Sequence, residues 1–180
     1  MDFLIYLESV DRLTFLYINH DITNPVFDTV FPSLKLLTYV FWSLLTAYFW
    51  FRKERKLALL MAFGITAGVI FTYPLKIIFD RTRPYEQIES TRLLTPPESD
   101  LSFPSGHTEL SFIAATIASR FRPEYGKYLC AFSFFVALSR IYVGVHFPTD
   151  VIGGMLIGIL IGKIILLAQT KIKIFEKEEV

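Results

Sequence analysis

Three short stretches of this chain combine residues that can do chemistry on an anion. Lys76 stands seven positions before Arg83-Pro84. Pro104-Ser105-Gly106-His107 opens an apolar run. Ser139-Arg140 precedes His146, and Asp150 follows that histidine by four positions. Each residue type has a use. Pro and Gly before an apolar run mark a helix start, where free backbone N–H groups make an anion site. Ser105 adds a hydroxyl donor, and Gly106 lets a ligand approach the backbone. Pro148 suits the first turn of another helix, so Asp150 can reach back towards His146. A carboxylate on one imidazole nitrogen fixes the tautomer and leaves the other nitrogen free to attack. A purely structural His–Asp pair is the alternative. Two histidines among Lys76, Arg83 and Arg140 fit phosphoryl transfer, because fixed cations stabilise the charge on the equatorial oxygens. The three basic residues have no matching acidic excess in these stretches, which suggests a bound anion.

Other chemistries fit less well. The third histidine, His20, lies far off in a turn. There is no HExxH, no Cys pair and no acidic cluster, so no metal or other cofactor is expected. Ser105 as a nucleophile lacks the strand–elbow–helix context of GxSxG. Cys130 is the one cysteine, so no disulfide framework exists.

The elements that must position these residues read as membrane helices. The 180 residues make one domain's worth of chain, 53% of them hydrophobic, with a formal net charge of +1. That balance gives no case for nucleic acid and shows no obligate protein partner. Met1-Asp2-Phe3 lacks a basic region and a cleavage site, so no signal peptide is expected. Residues 3–18 put Phe3, Leu7, Val10 and Tyr17 on one helical stripe, away from Glu8, Asp11 and Arg12. This predicts an amphipathic helix lying flat at the membrane surface, and His20 to Pro25 reads as a turn. Apolar segments at 30–51, 57–78, 106–121, 128–144 and 149–169 predict five spans. Residues 79–104 form a polar loop. Gly154, Gly158 and Gly162 give the last span a smooth face for close helix packing. Lys163, near its inner end, reads as a snorkelling side chain.

Orientation follows from Lys and Arg. One end carries Arg52, Lys53, Arg55, Lys56, Arg120, Arg122, Lys127, Lys171, Lys173 and Lys177, and is expected to be cytoplasmic. The other end then carries Lys76, Arg83, Ser105, His107, Arg140, His146 and Asp150. Seven such residues at one depth need a polar cavity or partners.

Taken together, Lys76-(six residues)-Arg83-Pro84, Pro104-Ser-Gly-His107 and Ser139-Arg140-(five residues)-His146-(three residues)-Asp150 resemble the three-part signature of the type 2 phosphatidic acid phosphatases, the PAP2 superfamily. The motifs cover about residues 70–155, with no departure at a motif position. The resemblance implies an all-α helical bundle and a metal-independent phosphatase. It implies His146 as the nucleophile that becomes a phosphohistidine, Asp150 as its orienting partner and His107 as the acid that protonates the leaving oxygen. Lys76, Arg83, Ser105, Gly106 and Arg140 are implied as phosphate ligands.

The short chain, the Asn19…Asn24-Pro25 segment and the Ser139-to-His146 run look most similar to bacterial lipid A 1-phosphatases. The expected substrate is therefore lipid A 1-phosphate or another phospholipid, met at the outer face of a bacterial inner membrane. Undecaprenyl-diphosphate and phosphatidylglycerophosphate phosphatases share the motifs and are the alternatives. A non-catalytic scaffold or a transporter is a remoter one, and charges gathered at one surface rather than mid-membrane argue against it. The 85–103 loop, with Glu86, Glu89, Arg92, Glu98 and Asp100, is expected to help select the headgroup.

Overall fold

The structure, a computed structural model, describes residues 3–171; Met1, Asp2 and the charged tail after Lys171 lie outside the described residues. Among those described there is no strand. The order is α1 (Phe3–Leu16), a π-helical turn (Tyr17–Asp21), α2 (Pro25–Phe51), α3 (Arg55–Phe79), α4 (Pro84–Gln87), α5 (Gly106–Phe121), α6 (Pro123–Tyr142) and α7 (Pro148–Lys171). The helix therefore runs on to Asp21, past the predicted start of the turn.

Local signals explain the boundaries. Asn24 caps α2, its Oδ1 accepting from the Val26 and Phe27 amides at 2.8 and 3.4 Å, with Pro25 in the first turn. Asp80 ends α3 in the left-handed conformation at φ 44°, and its amide returns to the Lys76 carbonyl at 3.0 Å. Pro148 opens α7 as the spacing requires.

α5 is the centre. It packs against α7, α6 and α3. The glycines of α7 permit the closest of these contacts. A Cβ at Gly154 would stand 2.6 Å from the Ser105 carbonyl oxygen, and one at Gly162 would stand 2.8 Å from Thr116 Cβ. Gly64 and Gly68 of α3 do the same for the side chains of Ile113 and Ile117. The main apolar cluster joins Trp42, Phe49, Leu57 and Met61 to Leu110, Ile113, Ala114 and Ile117. The Trp42 indole N–H donates to Ser111 Oγ at 3.1 Å, so this polar edge is satisfied inside the core.

Among the described residues three helices, α2, α3 and α7, are long and apolar enough to cross a membrane. This is a narrower set than the five spans expected. α5 has only 16 residues, and eleven of them are buried, so protein rather than lipid surrounds it. α6 carries Glu124, Lys127 and Arg140 in its 20 residues. Both still run alongside the other three as part of one bundle.

The ends of the bundle differ as the charges predict. Arg122 pairs with Glu54, so the basic turns 52–54 and 122–123 lie together at one end. The Asn24 amide donates to the Tyr142 hydroxyl at 2.9 Å, and Leu94 N donates to Val143 O at 3.1 Å. The start of α2, the polar loop and the end of α6 therefore share the opposite end. There α1 turns Leu7 and Val10 outward and the π-helical turn does the same with Tyr17, while Asp11 and Phe15 are buried against the bundle. Asp11 is thus not on a solvated face, as its place off the apolar stripe suggests.

Candidate active site

Each site residue sits where an element begins or ends. Lys76 occupies the last turn of α3, and Arg83 caps the short α4. Ser105 caps α5, and Gly106 and His107 are its first two residues. Arg140 lies in the last turn of α6, Asp150 in the first of α7, and His146 in the five-residue link between them. The two critical starts are tied directly, because the Ser105 amide donates to the Asp150 carbonyl at 3.0 Å.

Lys76, Arg83, Gly106, His107 and His146 line one cavity of about 240 Å³, together with Glu98 and Asp100. Its deeper wall is Gly68, Thr72 and Leu110. On one side it reaches Tyr39 of α2 and Val69 and Tyr73 of α3. Those last three are 44%, 60% and 66% exposed, so the cavity opens between α2 and α3, where lipid would lie. Arg140 and Ser105 do not line it. Arg140 stands behind Glu98, donating to its Oε1 at 3.0 Å, and Ser105 Oγ accepts from Thr108 at 3.0 Å.

His146 is wholly buried, and its partners define its tautomer. Arg83 Nη1 lies 3.3 Å from Nε2, and a guanidinium can only donate, so Nε2 presents a lone pair. The ring proton is then on Nδ1. This nitrogen faces Asp150 Oδ2 at 3.6 Å and Ser102 Oγ at 3.5 Å. Ser102 in turn donates to Asp150 Oδ2 at 2.5 Å, and the Phe147 amide donates to the same oxygen at 2.8 Å. Asp150 therefore reaches His146 as the spacing predicts, with a serine hydroxyl beside the pair. Burial pushes the His146 pKa down to about 4. Asp150 opposes that shift, while Arg83 and Lys76 add to it. The imidazole is neutral near pH 7, as a nucleophile must be.

His107 lines the same cavity on the side of α2. Its Nε2 meets the Lys35 carbonyl at 3.2 Å, and its ring lies 4.9 Å from that of Tyr39. A carbonyl only accepts, so this nitrogen carries a proton.

The cations are not without anions, contrary to the count within the motifs. Arg83 Nη2 pairs with Glu98 at 2.9 Å and Asp100 at 2.6 Å. Lys76 pairs with Asp100 at 3.2 Å, and Lys35 with Glu98 at 3.4 Å. Lys76 also donates to the Leu101 carbonyl. The polar loop folds back and lays two carboxylates on the basic residues. Burial raises the Glu98 pKa, but Arg140 and Arg83 outweigh it and hold the group below the ordinary range. Lys76 and Arg83 do the same for Asp100 against its own burial. Both are therefore anions. Two donors of Arg140, Nε and Nη1, have no protein partner although the side chain is fully buried. Buried guanidinium donors are rarely left so.

The motifs did not include Ser102, Arg81, Lys35 or Tyr39. Arg81 donates to Asp150 Oδ1 at 2.5 Å. Its one mark in the sequence is a second arginine at an apolar helix end, which calls for a partner. Ser102 carries no such mark. Among the described residues, no group of three His, Cys, Asp or Glu could hold a metal ion.

Comparison with known proteins identifies the family. Residues 57–174 match the model of the PAP2 superfamily. LpxE of Aquifex aeolicus has a similar crystal structure, with a TM-score of 0.76 and 35% identity over 86% of this chain and 93% of that one. The undecaprenyl-diphosphatase BcrC of Bacillus subtilis is 31% identical over 77% of this chain and 73% of its own length. The lipid A 4′-phosphatase of Porphyromonas gingivalis is 30% identical over 92% of this chain and 77% of its own. The chain belongs to the PAP2 superfamily, and it is a multi-pass membrane lipid phosphatase.

Proposed function

We propose that this chain hydrolyses a lipid phosphomonoester at the outer face of a bacterial inner membrane through a phosphohistidine at His146. The observation that carries this reading is one cavity with two halves. One half holds the lone pair of His146 Nε2 among fixed cations. The other opens to lipid past Tyr39, Val69 and Tyr73. A phosphate on a lipid headgroup can enter the first half while its chains stay in the bilayer.

In the first step His146 Nε2 attacks phosphorus, an N–P bond forms and the P–O bond to the lipid breaks. His107 enters this step as the imidazolium, with its Nε2–H held by the Lys35 carbonyl, and gives its other proton, on Nδ1, to the leaving oxygen, becoming neutral. Asp150 stabilises the positive ring that results. In the second step His107 takes a proton from water, the water attacks phosphorus and the N–P bond breaks. Inorganic phosphate leaves and His146 is restored. Lys76, Arg83 and the start of α5 at Gly106 line the cavity and hold the phosphoryl oxygens, while Arg140, whose Nε and Nη1 have no protein partner, and Ser105, just behind Gly106, join them once Glu98 gives way, taking the charge a metal would otherwise bear.

Lipid A 1-phosphate is our first reading of the substrate. It is supported by the sequence resemblance and by the lipid A 4′-phosphatase matched over 92% of the chain. A second reading is undecaprenyl diphosphate. The two carboxylates Glu98 and Asp100 occupy neighbouring positions on four cations, Lys35, Lys76, Arg83 and Arg140, and a diphosphate presents two neighbouring anions in the same way. Phosphate release from a panel of lipid A, undecaprenyl diphosphate and phosphatidylglycerophosphate tests both. Highest kcat/KM on lipid A with loss of its 1-phosphate supports the first, and highest kcat/KM on the diphosphate replaces it with the second.

Sidedness rests on the basic end carrying Arg52, Lys53 and Arg122. In a Cys130→Ser background, Glu89→Cys should react with an impermeant thiol reagent on intact spheroplasts and Arg52→Cys should not. The reverse labelling would put the site in the cytoplasm.

A further inference from the structure

The charge network around the nucleophile does not stop at Asp150. Arg81 holds the free oxygen of that carboxylate, Oδ1, at 2.5 Å. The same guanidinium donates through Nη2 to Asp11 Oδ2 at 2.5 Å, and its face lies over the Phe147 ring at 4.4 Å. Asp11 then clasps the start of α7, accepting from the Thr149 amide at 2.9 Å and the Thr149 hydroxyl at 2.6 Å. Asp11 is 4% exposed and Asp150 is 0% exposed. Neither Asp11 nor Arg81 lines the cavity that holds His146.

The order of charges has a consequence for the reaction. Attack on phosphorus makes the His146 ring positive, and Asp150 is the anion that answers it. A lone arginine against Asp150 would cancel much of that field. Asp11 neutralises the arginine, so the carboxylate keeps its effect on the ring. Arg81 at the same time fixes the carboxylate plane, leaving Oδ2 towards His146. An isolated acidic residue on a surface helix has no reason to be buried; one that completes an alternating row of charges does.

We propose that Arg81 and Asp11 are positioning residues for the nucleophile, and that α1 belongs to the catalytic apparatus through Asp11. This rests on His146 being the nucleophile. It adds that the N-terminal helix tunes the rate of phosphoenzyme formation without touching substrate.

The test uses the full chain in nanodiscs, with rapid-quench trapping of the phosphoenzyme from a labelled aryl phosphate. Wild type is measured first. If it forms no phosphohistidine at His146, the mechanism above fails and this proposal with it. If it does, Asp11→Asn should slow phosphoenzyme formation on the order of 10-fold, with substrate affinity nearly unchanged. Asp11→Glu, which keeps the charge, should recover part of the rate. In an Arg81→Gln background, Asp11→Asn should cost nothing further, because its effect passes through Arg81. A wild-type rate in Asp11→Asn would overturn the proposal while leaving the phosphohistidine mechanism standing. So would a loss confined to affinity, or losses that multiply in the double variant. If Asp11→Asn does not fold, Arg81→Lys decides: a slower step at unchanged affinity supports the coupling, and a wild-type rate overturns it.

Discussion

The two sides of His146 are built from the same materials and held in opposite ways. In front, Lys76 and Arg83 face the cavity and Arg140 stands behind them, with Glu98 and Asp100 as their anions. Both anions come from the irregular stretch between α4 and α5. Behind, Asp150 meets Arg81 and Arg81 meets Asp11, and the two carboxylates sit on α7 and α1. A loop can give way when a phosphate arrives, whereas packed helices keep their spacing. The front is therefore suited to exchanging one anion for another. The back is suited to holding one geometry throughout turnover. Front substitutions should accordingly act on binding, and back substitutions on the rate of the chemical step.

The largest effect falls on the residue both sides share. His146→Ala should lower turnover of every substrate by about 10⁴-fold or more, as measured by phosphate release. Residual activity within an order of magnitude of wild type would remove it from the mechanism.

On the back, Asp150→Asn keeps the shape and loses the charge. It should reduce kcat by about 10³–10⁴-fold with little change in KM. A rise in KM at normal kcat would make Asp150 a binding residue and erase the distinction between the two sides.

On the α2 side of the cavity, His107→Ala should lose about 10²–10⁴-fold on an alkyl phosphate. It should lose much less on a nitrophenyl phosphate in single-turnover phosphoenzyme formation, because nitrophenolate leaves without a proton. Equal losses on the two substrates would refute the acid role.

The smaller effects belong to the front. Arg83 is one of the cations that push His146 down to about 4. His146 loses its lone pair when protonated, so kcat/KM falls on the acid side. Arg83→Gln removes a charge that disfavours the protonated ring, so this acid limb should move to higher pH than in wild type. KM should also rise. A limb that stays in place or moves lower would show that Arg83 does not act on His146. Smallest of all, Glu98→Gln frees Lys35, Arg83 and Arg140 of a competing anion. Inhibition by vanadate should tighten by at least about fivefold, the equivalent of about 1 kcal/mol for the most exposed of these three ion pairs, that with Lys35. Weaker inhibition would mean that Glu98 organises the cations rather than competing for them.

This division also separates what was legible in the sequence from what was not. The residues around the cavity announce themselves locally. Lys76 ends an apolar run, Pro84, Pro104 and Pro148 punctuate helix starts, and His146 and Asp150 are four positions apart. Lys76, His146 and Asp150 are charges or polar groups where hydrocarbon should reject them. Behind Asp150 the marks fade: Arg81 is a second arginine at an apolar helix end, and Asp11 has no mark of its own. Asp11 lies 70 positions from Arg81 and 138 from Thr149, and only packing brings them together. Glu98 and Asp100 were visible as loop carboxylates, but a count of charges cannot say that the loop folds inward over Arg83. α5 reads as a membrane span because it is apolar. Apolar periodicity does not distinguish a helix buried in lipid from one wrapped by α3, α6 and α7.

The central claim, a phosphohistidine at His146 formed with fixed cations in place of a metal, has a direct test. Purified protein is treated exhaustively with chelator, mixed with labelled nitrophenyl phosphate and quenched within a turnover. The account predicts an alkali-stable, acid-labile label on the peptide containing His146, present in His107→Ala and absent from His146→Ala. A label that persists in His146→Ala, that is acid-stable as on a serine, or that appears only when Mg²⁺ or Zn²⁺ is restored would contradict it.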